Sequence, residues 1–233
     1  MVNNLWKNIL EREFIFEKEC YKTCNSFCCR WEHEDFPRFF IPKGGTLFYL
    51  PEEYNYIKSN AMLSDGNISQ LSINLYDNKK VSIYYTACND DRNCNIKFTR
   101  TLYCRIYPFF PVFNMEGELL DLKYISIYDI TSDIIGLKTP CYVKNKKEVY
   151  LKLWQKDKEL LNILKNPYLL FHFMVADILY NNYCETLKES GLLSYRKEEF
   201  WVKWERLYLK KRLINKEKAT KDINELYKKF CNE

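Results

Sequence analysis

At 233 residues the chain has room for one large domain or two small ones. With 47% hydrophobic residues it can build an ordinary core, so its ten cysteines are not needed merely to hold a tiny fold together. The formal net charge of +5 is mild, sits largely in the lysine-rich last third, and reads as a solvated helix face rather than a nucleic-acid footprint. Only six glycines are present, and neither GxGxxG nor a P-loop pattern occurs, which leaves nucleotide binding by glycine-rich loops without support.

The first predicted element is a helix over 5–24, where Leu5, Ile9, Phe16 and Cys20 recur at roughly helical spacing with charge between them. Glu11, Arg12 and Glu13 interrupt any apolar run, and no small-residue cleavage site follows, so no signal peptide is expected. Pro37, Pro42 and Gly44-Gly45 mark residues 33–45 as loop. "TLFYL" (46–50) predicts a short strand. "PEEYNYIKS" (51–59) predicts a helix, with Pro51 in its first turn and Glu52 and Glu53 suiting the positive end of the dipole. Residues 68–87 predict a hairpin: two β-branched and aromatic runs flank the turn "DNKK".

From about Tyr142 the pattern turns helical. The candidates are "VYLKLWQKDKELLNILK", the apolar 168–179 run and "FWVKWERLYLKKRLI", with Asn166-Pro167 and Gly191 as breaks. In the last of these, Phe200, Trp204, Leu207 and Tyr208 share one face. The 168–179 run is too short for a membrane span and carries His172 and Asp177. The expected class is α+β, with a cysteine-rich unit over 1–115 built around a hairpin and a helical region over 116–233. A single core shared by both remains open.

Seven cysteines form two blocks, C-x3-C-x3-C-C (Cys20, Cys24, Cys28, Cys29) and C-x5-C-x9-C (Cys88, Cys94, Cys104). In the reducing cytoplasm expected for this chain, such clusters are more often metal ligands than disulfides, and adjacent Cys28 and Cys29 would make a strained bridge. Cys141, Cys184 and Cys231 stand alone and read as small buried hydrophobes. An intact helix would separate Cys20 and Cys28 by about 12 Å at about 1.5 Å per residue. One tetrahedral zinc, with sulfur at about 2.3 Å, holds its ligands only about 4 Å apart. Either the helix breaks near Asn25-Ser26 or more than one metal sits here. Seven thiolates exceed the four of a mononuclear site. A binuclear centre, an iron–sulfur cluster with spare ligands, or one four-cysteine site plus free thiols would each use them. Sulfur softness admits zinc, iron–sulfur or copper(I).

Four thiolates on Zn²⁺ leave a charge of about −2. Arg30, Arg100 and Arg105 lie beside the cysteines and are candidates to offset it from outside the ligand set. His33 is a further candidate ligand, whereas His172, on the most apolar helix, reads as a core histidine.

These residues resemble a known family. "ECYKTCNSFCC", "FYLPEEYNYIK" and "ACNDDRNCNIKFTRTLYCRIYPF" are together similar to the YkgJ-type cysteine-cluster proteins, the CxxCxxCC family, described as zinc- or iron-chelating. The family's second block corresponds to Cys88, Cys94, Ile96, Arg100, Cys104, Arg105, Tyr107 and Pro108, and "LPEE" at 50–53 looks like its helix start. The likeness covers roughly residues 20–110. It departs in the three-residue gaps of the first block and in Thr101, where the family usually has proline. The resemblance implies chelation of zinc or iron and supplies no reaction.

Three functions follow. In the first the thiolate centre is itself the functional part, its ligand a metal ion and its possible client a protein. In the second a structural zinc supports an interaction module, with Trp201, Trp204 and Lys210-Lys211-Arg212 meeting a protein or, less favoured, a nucleic acid. In the third a metal- or cluster-dependent enzyme modifies a protein, with acid–base candidates among Glu32, His33, Glu34, Asp35, Asp90 and Asp91. No membrane association is expected.

Overall fold

The computed structural model describes residues 2–15, 46–60, 68–87, 100–139 and 141–232. The class is α+β: a small antiparallel sheet and short helices come first, and a mainly helical half follows. Helix α1 (Val2–Glu11) presents Trp6, Ile9 and Leu10 inward, all essentially inaccessible. The predicted helix over 5–24 is not continuous, since residues 12–15 have left it. Tertiary bonds take their carbonyls instead: Trp154 Nε1 donates to Phe14 O at 3.0 Å, and Arg105 Nη1 donates to Arg12 O at 3.1 Å. The part of that prediction from Phe16 on, and the loop predicted over 33–45, lie outside the described residues.

Strand β1 (Thr46–Tyr49) leads directly into α2 (Pro51–Ser59), both as predicted. The predicted hairpin is β2 (Ser69–Asn74) and β3 (Lys80–Ala87), and the sheet order is β1-β3-β2, antiparallel throughout. Thr46 opposes Ala87 and Tyr49 opposes Tyr84 in the register. Tyr49, Leu10 and Ile57 form a small buried cluster under this sheet, with Tyr84 stacked on Tyr54 at 4.4 Å between ring centroids.

Helix α3 (Leu102–Ile106) precedes a second hairpin, β4 (Phe109–Phe113) and β5 (Leu119–Tyr124). That hairpin carries no clear sequence signal. Every residue of β4 is buried, so polar alternation is absent, and Pro111 argues against a strand. Its turn is closed by Gly117 at φ +73°, a backbone angle that a side chain would strain.

The C-terminal half holds α4 (Ile127–Ile134), α5 (Lys147–Lys156), α6 (Lys158–Leu164), α7 (Pro167–Glu189), α8 (Lys197–Leu209) and α9 (Lys216–Asn232). The single helix expected over 149–165 is two, broken at Asp157, whose carboxylate accepts from Leu160 N at 2.9 Å and starts α6. Asn166 and Pro167 open α7 as expected: Asn166 Oδ1 accepts from Tyr168 N at 3.0 Å. The aromatic face of α8 is buried at Phe200 and Trp204, and Trp201 is buried with them. There Trp204 Nε1 donates to the Tyr183 hydroxyl at 2.8 Å, and that hydroxyl shares a further hydrogen bond with Thr131.

The main core takes residues from both sides of position 116. Trp6, Phe14, Leu102 and Ile106 pack in one cluster with Trp154, Leu160, Leu169 and Phe173. Two polar ties reinforce it. Arg12 pairs with Asp157 and with Glu159 at 2.9 Å. Asp129, fully buried, accepts from the Tyr107 hydroxyl and lies 3.3 Å from Lys144 Nζ. Burial pushes the Asp129 carboxyl up, and Lys144 and Tyr107 pull it back. No helix among the described residues is long and apolar enough to cross a membrane.

Asp157 gives a pH prediction. The Leu160 N–H, helped by Arg12, holds its pKa below the ordinary 3.8. A carboxylate whose folded pKa is depressed contributes stability above its unfolded pKa and loses it as the pH falls through the folded value. Asp157→Asn is expected to lower stability at neutral pH and to flatten the acid decline below about pH 4. Urea titrations of both proteins from pH 6 down to pH 2 measure this, and parallel pH profiles would refute it.

Candidate metal centre

Of the seven cysteines in the two blocks, the structure describes Cys104. Cys20, Cys24, Cys28, Cys29, Cys88 and Cys94 lie outside the described residues, as do Arg30, Glu32, His33, Glu34, Asp35, Asp90 and Asp91. What the structure shows is how the chain is held on either side of each cysteine-bearing segment.

Cys104 sits half-buried on α3. That short helix is started by two separate acceptors. Thr101, standing where the resembled family has proline, is the N-cap, and its hydroxyl accepts from Cys104 N at 3.2 Å. Glu53 supplies the second: its Oε1 accepts from Leu102 N at 2.6 Å, and its Oε2 accepts from Leu50 N at 3.2 Å. One carboxylate thus holds the starts of α2 and α3 together. Glu53 has no accessible surface, and burial pushes its pKa up to about 7, against the two backbone N–H groups and Arg105.

Two arginines complete the arrangement. Arg105 is 1% exposed, and its Nε donates to Arg100 O at 3.0 Å while its Nη1 donates to Arg12 O. Arg100 Nη1 reaches Glu13 Oε2 at 3.2 Å, and its Nη2 donates to Cys104 O at 3.3 Å. Glu13 Oε1 lies 3.9 Å from Arg105. Burial and the neighbouring Arg100 pull the Arg105 pKa down, while Glu13, Glu53 and Cys104 pull it up. Both arginines therefore stand in the immediate electrostatic surroundings of Cys104.

The consequence is positional. Residues 12–13, shortly before the first cysteine block, are fastened to Arg100 and Arg105, which flank Cys104 at the end of the second. Thr46, where the chain returns from the first segment, opposes Ala87, which leads into the second. The two cysteine-bearing segments therefore begin and end at shared anchor points.

The lone cysteines differ in their surroundings. Cys141 is buried as expected, and Cys184 is half-buried, its thiol pKa raised by burial. Cys231 lies exposed on α9, so it is not the buried hydrophobe expected there. His172 is half-buried rather than in the core: its Nδ1 lies 2.8 Å from Tyr168 O, and burial lowers its pKa. Among the described residues no group of three or more His, Cys, Asp or Glu side chains is placed to hold a metal.

Sequence reasoning placed Glu52 and Glu53 at a helix start but missed the clamp that Glu53 makes. The available signal was glutamate at the third helical position after "LP", a spacing that returns a carboxylate to the backbone N–H before the helix. Glu13, in an interrupted charged run, gave no such signal. No family model, no curated protein and no solved structure matches the chain.

Arg105→Met keeps a long apolar stem and removes the charged donors to two carbonyls. Each such bond contributes about 1.5–3 kcal/mol. The variant is expected to lose about 3–6 kcal/mol in urea unfolding of the metal-free, reduced protein, and a change below about 0.5 kcal/mol would contradict the role described.

Proposed function

We propose that this chain is a cytoplasmic metal-binding protein. Its thiolates, from Cys20, Cys24, Cys28, Cys29, Cys88, Cys94 and Cys104, hold zinc or an iron or iron–sulfur centre. The observation that carries this reading is the pairing of chain ends. Cys20 is five residues from Ile15, Cys88 follows Ala87, and Cys94 is six residues before Arg100. At about 3.5 Å per extended residue, Cys20 lies within about 18 Å of Ile15 and Cys94 within about 21 Å of Arg100, so the shared anchor points keep the near end of each block within reach of a common centre.

The chemistry of the anchors supports the same reading. Thiolate ligands are bound deprotonated, and a four-thiolate zinc site carries a net negative charge. Arg100 and Arg105 put fixed positive charge beside Cys104, and the buried Arg105 guanidinium cannot turn away, because two carbonyls hold it. The ordered motifs shared with the YkgJ-type proteins point to the same chemistry. The interaction-module reading loses part of its basis, because Trp201 and Trp204 are buried in the core rather than displayed beside Lys210-Lys211-Arg212.

Purification without air, followed by metal and acid-labile sulfide analysis, tests the proposal. Wild-type protein is expected to retain at least one zinc or iron per chain, and Cys104→Ser to retain less or to release it faster to a chelator. Wild-type protein that carries no metal and takes up neither zinc nor iron under reducing conditions would overturn it.

A further inference from the structure

Helices α7 and α9 pack together, and beside them the turn between β4 and β5 leaves an open groove of about 540 Å³. Each helix gives the groove one stripe. Met174, Asp177 and Ile178 of α7 follow i, i+3, i+4 spacing, and so do Asp222, Glu225 and Leu226 of α9. Phe113 and Met115 complete an apolar floor, and Glu116 joins the carboxylates at the rim. Lys123 already pairs with Asp177, and Glu225 meets Lys221 at 4.0 Å, the outer limit of an ion pair. Against Glu116, Asp222 and Glu225 the lining sets one cation, Lys229. This local acidity runs against the chain's net charge of +5. Floor and rim together suit a guest that brings an apolar side chain flanked by positive charge, and methionines adapt readily to such a guest.

The same chain displays that chemistry elsewhere. Over the last two turns of α8, Val202, Arg206 and Leu209 stand on one outward face, and Lys210, Lys211 and Arg212 follow. Val202 is 52% exposed and Leu209 58%. Lys211 ends the helix at φ +55°, with its N–H donating to Tyr208 O and the Arg212 N–H to Leu207 O. Glycine is the usual residue in that left-handed position. Lysine there keeps the positive run unbroken at some expense in backbone strain. From this complementarity we infer that the protein self-associates: the C-terminal end of α8 in one copy docks in the α7–α9 groove of a second, with Leu209 on the apolar floor and Arg206 and Lys210 against Asp222 and Glu225. Exchanged reciprocally about a twofold axis, the contact is made twice. Neither surface carries a cysteine of the two blocks, so the inference stands apart from the metal-binding reading.

Sedimentation velocity on the full chain tests it, with reductant present so that the exposed Cys231 forms no bridge between copies. Wild type is expected to move from one chain toward two as its concentration rises from about 1 to about 500 µM. Its association constant is expected to fall about tenfold or more between about 50 and about 500 mM salt. Asp222→Lys with Glu225→Lys makes the groove basic, and Arg206→Glu with Lys210→Glu makes the end of α8 acidic. Each double variant alone is expected to stay monomeric. Mixed in equal amounts they are expected to associate as wild type does, because one contact between them is native and the other has its charges exchanged. Leu209→Ser, at an exposed site, is expected to weaken association about tenfold with an unchanged unfolding midpoint. Wild type that stays monomeric throughout would overturn the inference and leave the groove to a basic guest from outside the chain. So would dimers that all three variants form as readily as wild type, or double variants that keep the wild-type circular dichroism yet stay monomeric when mixed.

Discussion

The buried guanidinium of Arg105 is the constraint on which the arrangement depends. It is held by the carbonyls of Arg12 and Arg100, and so joins the chain just before the first cysteine block to the chain just before Cys104. A cation removed from water needs several hydrogen bonds and nearby negative charge, and Arg105 finds both in fixed directions. The planar fork of arginine suits this task. A lysine would bring a single point of charge and could not address two carbonyls in one plane. Arg100 and Glu13 repeat the connection at the surface, where its energetic worth is smaller.

The helical half explains why this small knot stays in place. Phe14, just beyond α1, is tied by its carbonyl to Trp154 of α5, and Arg12 pairs with the aspartate that starts α6. On the other side of Cys104, Tyr107 donates to Asp129 of α4, within a buried pair completed by Lys144. The cysteine unit is therefore braced at both ends by elements that carry no cysteine of either block. A charge pair buried as deeply as Asp129 and Lys144 contributes specificity of docking more readily than net stability. Breaking one partner is costly, because the other is then left uncompensated.

Much of the fold was legible in the sequence because local chemistry and tertiary structure agree. Pro51 with Glu52 and Glu53 marks the start of α2, Asn166-Pro167 marks the start of α7, and the β-branched and aromatic runs around "DNKK" give β2 and β3. Two of the failures share a cause, which is tertiary bonding that overrides local pattern. Helix α1 stops early because Trp154 and Arg105 claim the carbonyls that helical bonds would use. The 149–165 helix divides because Asp157 caps the second part while pairing with Arg12. The β4–β5 hairpin was missed because a strand buried on all sides shows no alternation. At the candidate site, Arg100 and Arg105 were readable from their place beside the cysteines. Glu53 and Glu13 were not, since their partners lie 49 and 87 residues away.

The central claim is that this knot brings two distant cysteine blocks to one inorganic centre. The most direct measurement is residue-resolved alkylation of the zinc-loaded and metal-free protein under reducing, anaerobic conditions, read by mass spectrometry. The account predicts that zinc protects cysteines of both blocks together, Cys104 among them, while Cys231 reacts at the same rate in both states. Protection confined to one block, with the other reacting as freely as in the metal-free chain, would contradict it.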